Sequence, residues 1–140
     1  MAGVLALSAC TGPYELPSPS PDPDELRWCE QVMAALPETV LDATRGETTA
    51  PELTAVWGDP PISLRCGVDK PKRLEPGSEC FEVNHVGWFA EEGRGGMVFT
   101  TIGRPVYIEV GVPTAYAPEA NALVDVAEAV SIVPVEQPCV

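Results

Sequence analysis

The spacing of apolar residues predicts helices near both ends of the chain. Between positions 24 and 36, apolar side chains recur at three- and four-residue steps, which places them on one face of a helix. Asp24 is a suitable cap for this helix, and Pro37 ends it. The same periodicity predicts a closing helix over residues 118–133, and residues 51–57, which begin with proline and precede a glycine, are predicted to form a short helix.

Alternation of apolar and polar residues predicts four strands between these helices. They cover residues 62–68, 81–89, 97–102 and 106–112. Residues 91–96 contain three glycines and are predicted to be a mobile connection. Because short links join consecutive strands, the fold class is predicted to be α+β: a small, four-stranded, mainly antiparallel sheet packed with an N-terminal and a C-terminal helix.

The N-terminus resembles a lipoprotein export signal followed by a stalk. Residues 1–9 are apolar, and Leu7-Ser8-Ala9-Cys10 has the aliphatic and small residues that precede a lipidated cysteine. No Lys or Arg precedes the motif, so we expect the signal to be truncated at its start. The alternative is an ordinary N-terminus that contains this tetrapeptide by chance. Residues 10–24 are rich in proline and are predicted to be an extended, solvated stalk before a single domain over residues 25–140.

These signals predict where the protein resides. Lipid on Cys10 would anchor it to the outer face of the cytoplasmic membrane, which would be its first partner; otherwise it would be secreted. The formal net charge is −13. An acidic surface repels phosphate backbones, so no nucleic-acid partner is expected. The chain has one histidine, His85, which leaves little material for general acid–base catalysis.

Four cysteines remain once Cys10 is assigned to lipid. An even number in an exported domain predicts two disulfides. Three connectivities are open, and we favour Cys66–Cys80, which closes one loop, together with Cys29–Cys139. The rival interpretation is a metal site formed by Cys66, Cys80 and His85, but no C-x-x-C pair supports it. We therefore expect neither a metal nor another cofactor.

The candidate binding surface combines cations and aromatic residues. Arg65 and Arg104, near Asp59, could grip an anionic ligand, because a guanidinium presents forked donors; the alternative is a structural salt bridge or turn contact. Trp57 and Trp88 could form an aromatic wall for a glycan or a protein, and the alternative is core packing.

Two further residue types bear on catalysis. His85 lies on the apolar face of its predicted strand, which favours a core histidine over a catalytic base. Thr100 and Thr101 have no base nearby in the sequence, so nucleophilic catalysis has no support.

Three stretches of the chain resemble a known family. Trp57-Gly58-Asp59-Pro60, Leu64-Arg65-Cys66-Gly67-Val68 and Phe99-Thr100-Thr101-Ile102-Gly103-Arg104 are similar, in this order, to the actinobacterial domain of unknown function DUF3515. The resemblance covers the chain from about Cys29 to its C-terminus. It implies a secreted or lipid-anchored single-domain protein and no particular reaction.

The sequence therefore predicts a lipid-anchored extracytoplasmic module that binds an envelope protein or glycan without catalysis. The alternative is a small envelope enzyme, or an enzyme accessory, that acts on cell-wall material. Exposure of Trp57 and Trp88 on a shallow surface would favour the module. A pocket that gathers His85, Asp59 and an arginine would favour the enzyme.

Overall fold

A computed structural model describes residues 12–139 and has the predicted α+β class. In chain order the elements are α1 (Pro23–Ala35), β1 (Thr39–Val40), β2 (Ala43–Thr44), β3 (Thr54–Trp57), β4 (Ile62–Val68), β5 (Phe81–Val83), β6 (Val86–Gly93), β7 (Gly96–Thr101), β8 (Tyr107–Pro113) and α2 (Ala122–Val130). The main sheet has six antiparallel strands in the order β3-β4-β8-β7-β6-β5, and β1 pairs with β2 alone. The predicted sheet of four strands was wrong.

Helix α1 begins with a complete capping box. The Asp22 side chain accepts a hydrogen bond of 2.8 Å from the Glu25 amide, and the Glu25 side chain accepts one of 3.1 Å from the Asp22 amide. Pro23 occupies the first turn, where its missing N–H costs nothing. The cap is therefore Asp22 and not Asp24, two residues before the predicted position.

One of the two strands missed in the main sheet was predicted to be a short helix. All four residues of β3 are buried, so its sequence shows neither a helical nor an alternating pattern of polarity. Each residue pairs with β4, from Thr54 opposite Arg65 to Trp57 opposite Ile62. Tertiary pairing thus overrides the local helix signal of Pro51.

The other missed strand results from a turn inside the predicted strand 81–89. Asn84 and His85 have φ angles of 48° and 69°, and they connect β5 to β6 as a two-residue hairpin loop. His85 is exposed in this loop, so the prediction that it lies in the core was wrong. Residues 91–96, predicted to be a mobile connection, form a second tight hairpin between β6 and β7.

The apolar core lies between one face of the sheet and the two helices. Alternate residues of β4 (Ile62, Leu64, Cys66) and β8 (Ile108, Val110, Val112) are buried, as their alternation predicted. Helix α1 contacts α2 and β4, and α2 contacts β5 and β8, so both helices cover the same face. We call the opposite side of the sheet the outer face.

The proline-rich segment, residues 12–22, is extended but lies against the domain, where the sequence predicted a solvated stalk. The Tyr14 amide donates to the Glu47 carbonyl at 2.8 Å, and the Thr49 amide donates to the Tyr14 carbonyl at 2.9 Å. The segment then crosses the outer face of β4, where Pro21 lies next to Gly67. The predicted export signal, including Cys10, lies outside the described residues. Within residues 12–139, no helix is long and apolar enough to cross a membrane.

Candidate functional site

All four cysteines of the domain form disulfides, with a connectivity different from the one that we favoured. The bonds are Cys29–Cys66 and Cys80–Cys139. Cys80 leads into β5, and three strands separate β5 from β4 in the sheet, a distance of about 19 Å at about 4.8 Å per strand. Cys66 points to the inner face, where α1 brings Cys29 within 5.6 Å between Cα atoms. The rival interpretation, a metal site formed by Cys66, Cys80 and His85, does not fit, because Cys66 and Cys80 belong to separate disulfides.

Both candidate tryptophans are completely buried, so they form no aromatic wall. The Trp57 indole Nε1 donates to the Pro37 carbonyl at 2.9 Å, and the Arg45 guanidinium lies 5.9 Å from its ring centroid. Trp88 pairs across the sheet with Thr101 on the core side, and its Nε1 has no hydrogen-bond partner among residues 12–139. Core packing, the alternative interpretation of both residues, is what the structure shows.

The first family-like stretch forms the turn between β3 and β4. Gly58 has a φ of 77°, and a Cβ atom there would lie 2.8 Å from the Ala43 Cβ. The Tyr116 hydroxyl donates to the Pro60 carbonyl at 2.6 Å. The exposed Asp59 accepts a hydrogen bond from the Tyr14 hydroxyl. This turn therefore connects the N-terminal segment to the turn that follows β8.

Tyr14 is held in its neutral form at this turn. Partial burial, and then the charge and hydrogen bond of Asp59, raise the pKa of the Tyr14 hydroxyl above its ordinary value of 10.0. A raised pKa means that the folded state favours the protonated phenol. The contribution to stability is present below the ordinary pKa and is lost as the pH rises through the raised one.

The second stretch binds the same N-terminal segment from β4. Arg65 makes a bidentate salt bridge to Glu109 on β8, with N–O distances of 3.0 and 3.1 Å. Its remaining terminal nitrogen donates to the Pro17 carbonyl at 3.1 Å. Gly67, at φ 91°, leaves room for Pro21, whose Cβ would lie 2.7 Å from an added Cβ. Arg65 is therefore engaged structurally, as the salt-bridge alternative supposed.

The third stretch binds the C-terminal residues 134–139, which we call the strap. The Gly103 carbonyl accepts hydrogen bonds from the Glu136 amide at 2.7 Å and from the Gln137 amide at 3.0 Å. Arg104 donates to the carbonyls of Val133 and His85. Burial lowers the pKa of the Arg104 guanidinium, and its Nε has no partner in the described part of the chain. Arg104 thus stabilises turns, and its guanidinium is engaged with backbone carbonyls instead of being open to bind an anion.

The candidate surface is therefore not a single site. Asp59 lies in the β3–β4 turn at one edge of the sheet, Arg65 on the outer face, and Arg104 at the β7–β8 turn. Each of the three stretches instead holds a neighbouring segment. In the second and third stretches a glycine with positive φ, Gly67 or Gly103, lies at the closest approach to a terminal segment. Sequence reasoning missed Tyr14, Pro21 and Tyr116 as the partners, and no periodicity marks them.

Gly103 offers a direct test of how the strap is held. An added Cβ would overlap the Gln137 carbonyl oxygen, whereas at Gly95, which has the same φ of 70°, nothing lies within 4 Å. We expect Gly95→Ala to lower the free energy of unfolding by about 1 kcal/mol through backbone strain alone. Gly103→Ala should cost about 2 kcal/mol more, because it also displaces the strap. Equilibrium denaturation of both variants measures the difference; equal losses would show that the strap is not held against Gly103.

Two surface cavities flank the strap. One, of about 370 Å³, is lined by residues that include Lys70, Ser78 and Tyr107. The other, of about 180 Å³, is lined by residues that include Glu82, His85 and Arg104. Both also contain Ile102 and the strap residues Gln137, Pro138 and Cys139. The strap is therefore the wall between two adjoining cavities.

Comparison with known proteins supports the resemblance seen in the sequence. The family model described as a protein of unknown function, DUF3515, matches residues 2–138. No curated protein and no solved structure matches the chain. The family match spans nearly the whole chain, and the three stretches described above fall within it. The chain therefore belongs to the DUF3515 family.

Proposed function

We propose that this protein is a lipid-anchored extracytoplasmic module that binds a protein or glycan of the cell envelope and does not catalyse a reaction. The observation that carries the extracytoplasmic part of this proposal is the pair of disulfides, Cys29–Cys66 and Cys80–Cys139, in which every cysteine of the domain is bonded. Structural disulfides persist in oxidising compartments outside the cytoplasm. The sequence motif that ends at Cys10 supplies the means of export and attachment.

The positions of polar side chains argue against the enzyme alternative. The enzyme alternative requires Asp59, His85 and an arginine in one pocket. Asp59 lies in the β3–β4 turn and His85 in the β5–β6 turn, and β3 and β5 are the opposite edges of the sheet. Arg65 and Arg104 are already engaged with Glu109 and with backbone carbonyls.

The contacts of the N-terminal segment determine how far the anchored domain would lie from the membrane. Cys10 is only four residues before Tyr14, where the chain meets the domain. Four extended residues span at most about 14 Å, whereas a fully solvated segment 10–24 would span about 45 Å. An anchored domain would thus lie close to the lipid headgroups, with the β3 side of its sheet nearest to them. Partners would reach it from the side of β5.

The test is the intact mass of the protein purified from its own membranes, with thiols alkylated before and after reduction. We expect a lipid adduct on Cys10, no alkylation before reduction, and four alkylated cysteines afterwards. Cys10→Ser should move the protein to the soluble extracytoplasmic fraction with both disulfides intact. Free thiols in the purified protein would refute export. If the Cys10→Ser variant stayed in the membrane, lipid anchoring would be refuted, but export would not. Crosslinking in native membranes then tests binding, which fails if no partner is recovered reproducibly.

A further inference from the structure

The two disulfides lie in very different surroundings. Cys29 and Cys66 are completely buried between α1 and β4, so no solvent molecule reaches their sulfur atoms. Cys80 and Cys139 are only half-buried, and both line the 370 Å³ cavity at the surface. A thiol can therefore approach the second disulfide in the folded protein, whereas it can approach the first only after the core opens.

The half-buried disulfide and two backbone hydrogen bonds hold the strap against the domain. Val133 is completely buried and is the last such residue before the strap. Residues 134–138 of the strap are exposed. Their backbone is held by the hydrogen bonds from the Glu136 and Gln137 amides to the Gly103 carbonyl. Opening Cys80–Cys139 would thus free the strap without disturbing the core.

We infer that Cys80–Cys139 is a site of thiol–disulfide exchange whose substrate is a dithiol, such as the reduced active site of an envelope oxidoreductase. A thiolate of the dithiol attacks one sulfur, the Cys80–Cys139 bond breaks, and a mixed disulfide forms as the other cysteine leaves as a thiolate. The second thiol of the donor then resolves the mixed disulfide. The donor is oxidised to its disulfide, and the protein gains two electrons and two protons as two thiols.

The charges around the cavity favour this reaction. Lys70 lines the cavity that contains both cysteines, together with one carboxylate, Glu75. No ion pair joins Lys70 to a carboxylate among residues 12–139. A cation beside the cavity attracts the attacking thiolate and stabilises the departing one. It offsets the repulsion that the acidic protein would otherwise exert on a thiolate.

Exchange at this site changes the surface of the protein. The strap separates the 370 Å³ cavity from the 180 Å³ cavity, and its release joins them into one groove over Ile102 and Gly103. The Gly103 carbonyl, which accepts two hydrogen bonds from the strap, becomes available to another donor. Reduction therefore alters the surface at the β7–β8 turn.

The test measures the reduction of each disulfide in the native, oxidised protein. Dithiothreitol is added without denaturant, samples are quenched with iodoacetamide, and alkylated peptides are quantified by mass. We expect Cys80 and Cys139 to be alkylated faster than Cys29 and Cys66, on the order of 100-fold, because the buried pair requires an opening of the core. Hydrogen exchange at the Glu136 and Gln137 amides should become faster over the same time course as the reduction of Cys80–Cys139.

Two matched variants test the role of charge. Lys70 lines the cavity and Lys72, two residues on, does not. Lys70→Gln should slow the first reduction about threefold, and Lys72→Gln should leave it within error, because short-range electrostatics acts on the thiolates. A single shared rate for both disulfides would overturn the proposal. So would resistance of Cys80–Cys139 to dithiothreitol in the folded protein. These two rates are measured on the wild-type chain, so they do not depend on whether a variant folds.

Discussion

Replacing Cys29 and Cys66 together by alanine should lower the free energy of unfolding by about 4 kcal/mol or more. The bond joins residues 37 apart in sequence, and the entropy of a loop of this length contributes about 3.8 kcal/mol. Both side chains are also completely buried between α1 and β4, so alanine leaves a cavity that adds to the loss. A loss of this size approaches the whole stability of a small domain.

The control is the double alanine variant of Cys80 and Cys139. Its residues are 59 apart, so loop entropy alone predicts a larger loss of about 4.2 kcal/mol. We expect a smaller one, because the exposed strap gains freedom in the folded state as well as in the unfolded state. Denaturant titration, with the slope checked for two-state behaviour, ranks the two variants. If the variant without Cys80–Cys139 lost more stability than the variant without Cys29–Cys66, as loop length alone predicts, the strap would be part of the cooperative core.

The elements that the sequence predicted best are those whose pattern is set by one buried face. Alternation in β4 and β8 marks the inner face of the sheet, and the apolar stripe of α1 marks the face that packs on it. In β3 the same reasoning has no signal, because every residue is buried. At Asn84-His85 a two-residue loop needs positive φ at both positions. Of these two residues, only the asparagine is a type that favours such a loop.

The disulfide connectivity required the order of the strands, which no local pattern contains. We favoured Cys66–Cys80 because the two cysteines flank one loop between consecutive strands, which the bond would close. In the structure β8 pairs with β4, and β5 lies at the far edge. The chain between Cys66 and Cys80 thus spans the sheet, and the nearest cysteine to Cys66 comes from α1.

The candidate site was misjudged for a related physical reason. Tryptophan and arginine were considered as surface groups because both residue types are common in binding sites. Arg65 instead donates to the Pro17 carbonyl of the N-terminal segment. Arg104 donates to the Val133 carbonyl, just before the strap, and to the His85 carbonyl in the β5–β6 turn. The better signal is the glycine beside each of them, Gly67 and Gly103, since positive φ and close approach exclude any side chain there.

Replacing Trp57 by alanine should lower the free energy of unfolding by about 3–5 kcal/mol, as is typical of a large buried aromatic residue. Trp57 is completely buried, and its Nε1 donates to the Pro37 carbonyl at the end of α1. An exposed aromatic wall would instead tolerate the change within about 0.5 kcal/mol. Because the alanine variant could fall below the stability needed to fold, phenylalanine variants provide the quantitative comparison.

Trp57→Phe and Trp88→Phe remove the same atoms from two completely buried sites, but their polar groups differ. Trp57→Phe leaves the partly buried Pro37 carbonyl without its donor, whereas Trp88→Phe removes an N–H that has no partner in the described part of the chain. We therefore expect Trp57→Phe to cost about 1 kcal/mol more than Trp88→Phe, the net contribution of a typical hydrogen bond. Denaturant titration monitored by the fluorescence of the remaining tryptophans measures both. Equal losses would mean that the Trp57 hydrogen bond adds nothing to the junction between α1 and the sheet. That junction would then depend on Cys29–Cys66 and apolar packing alone.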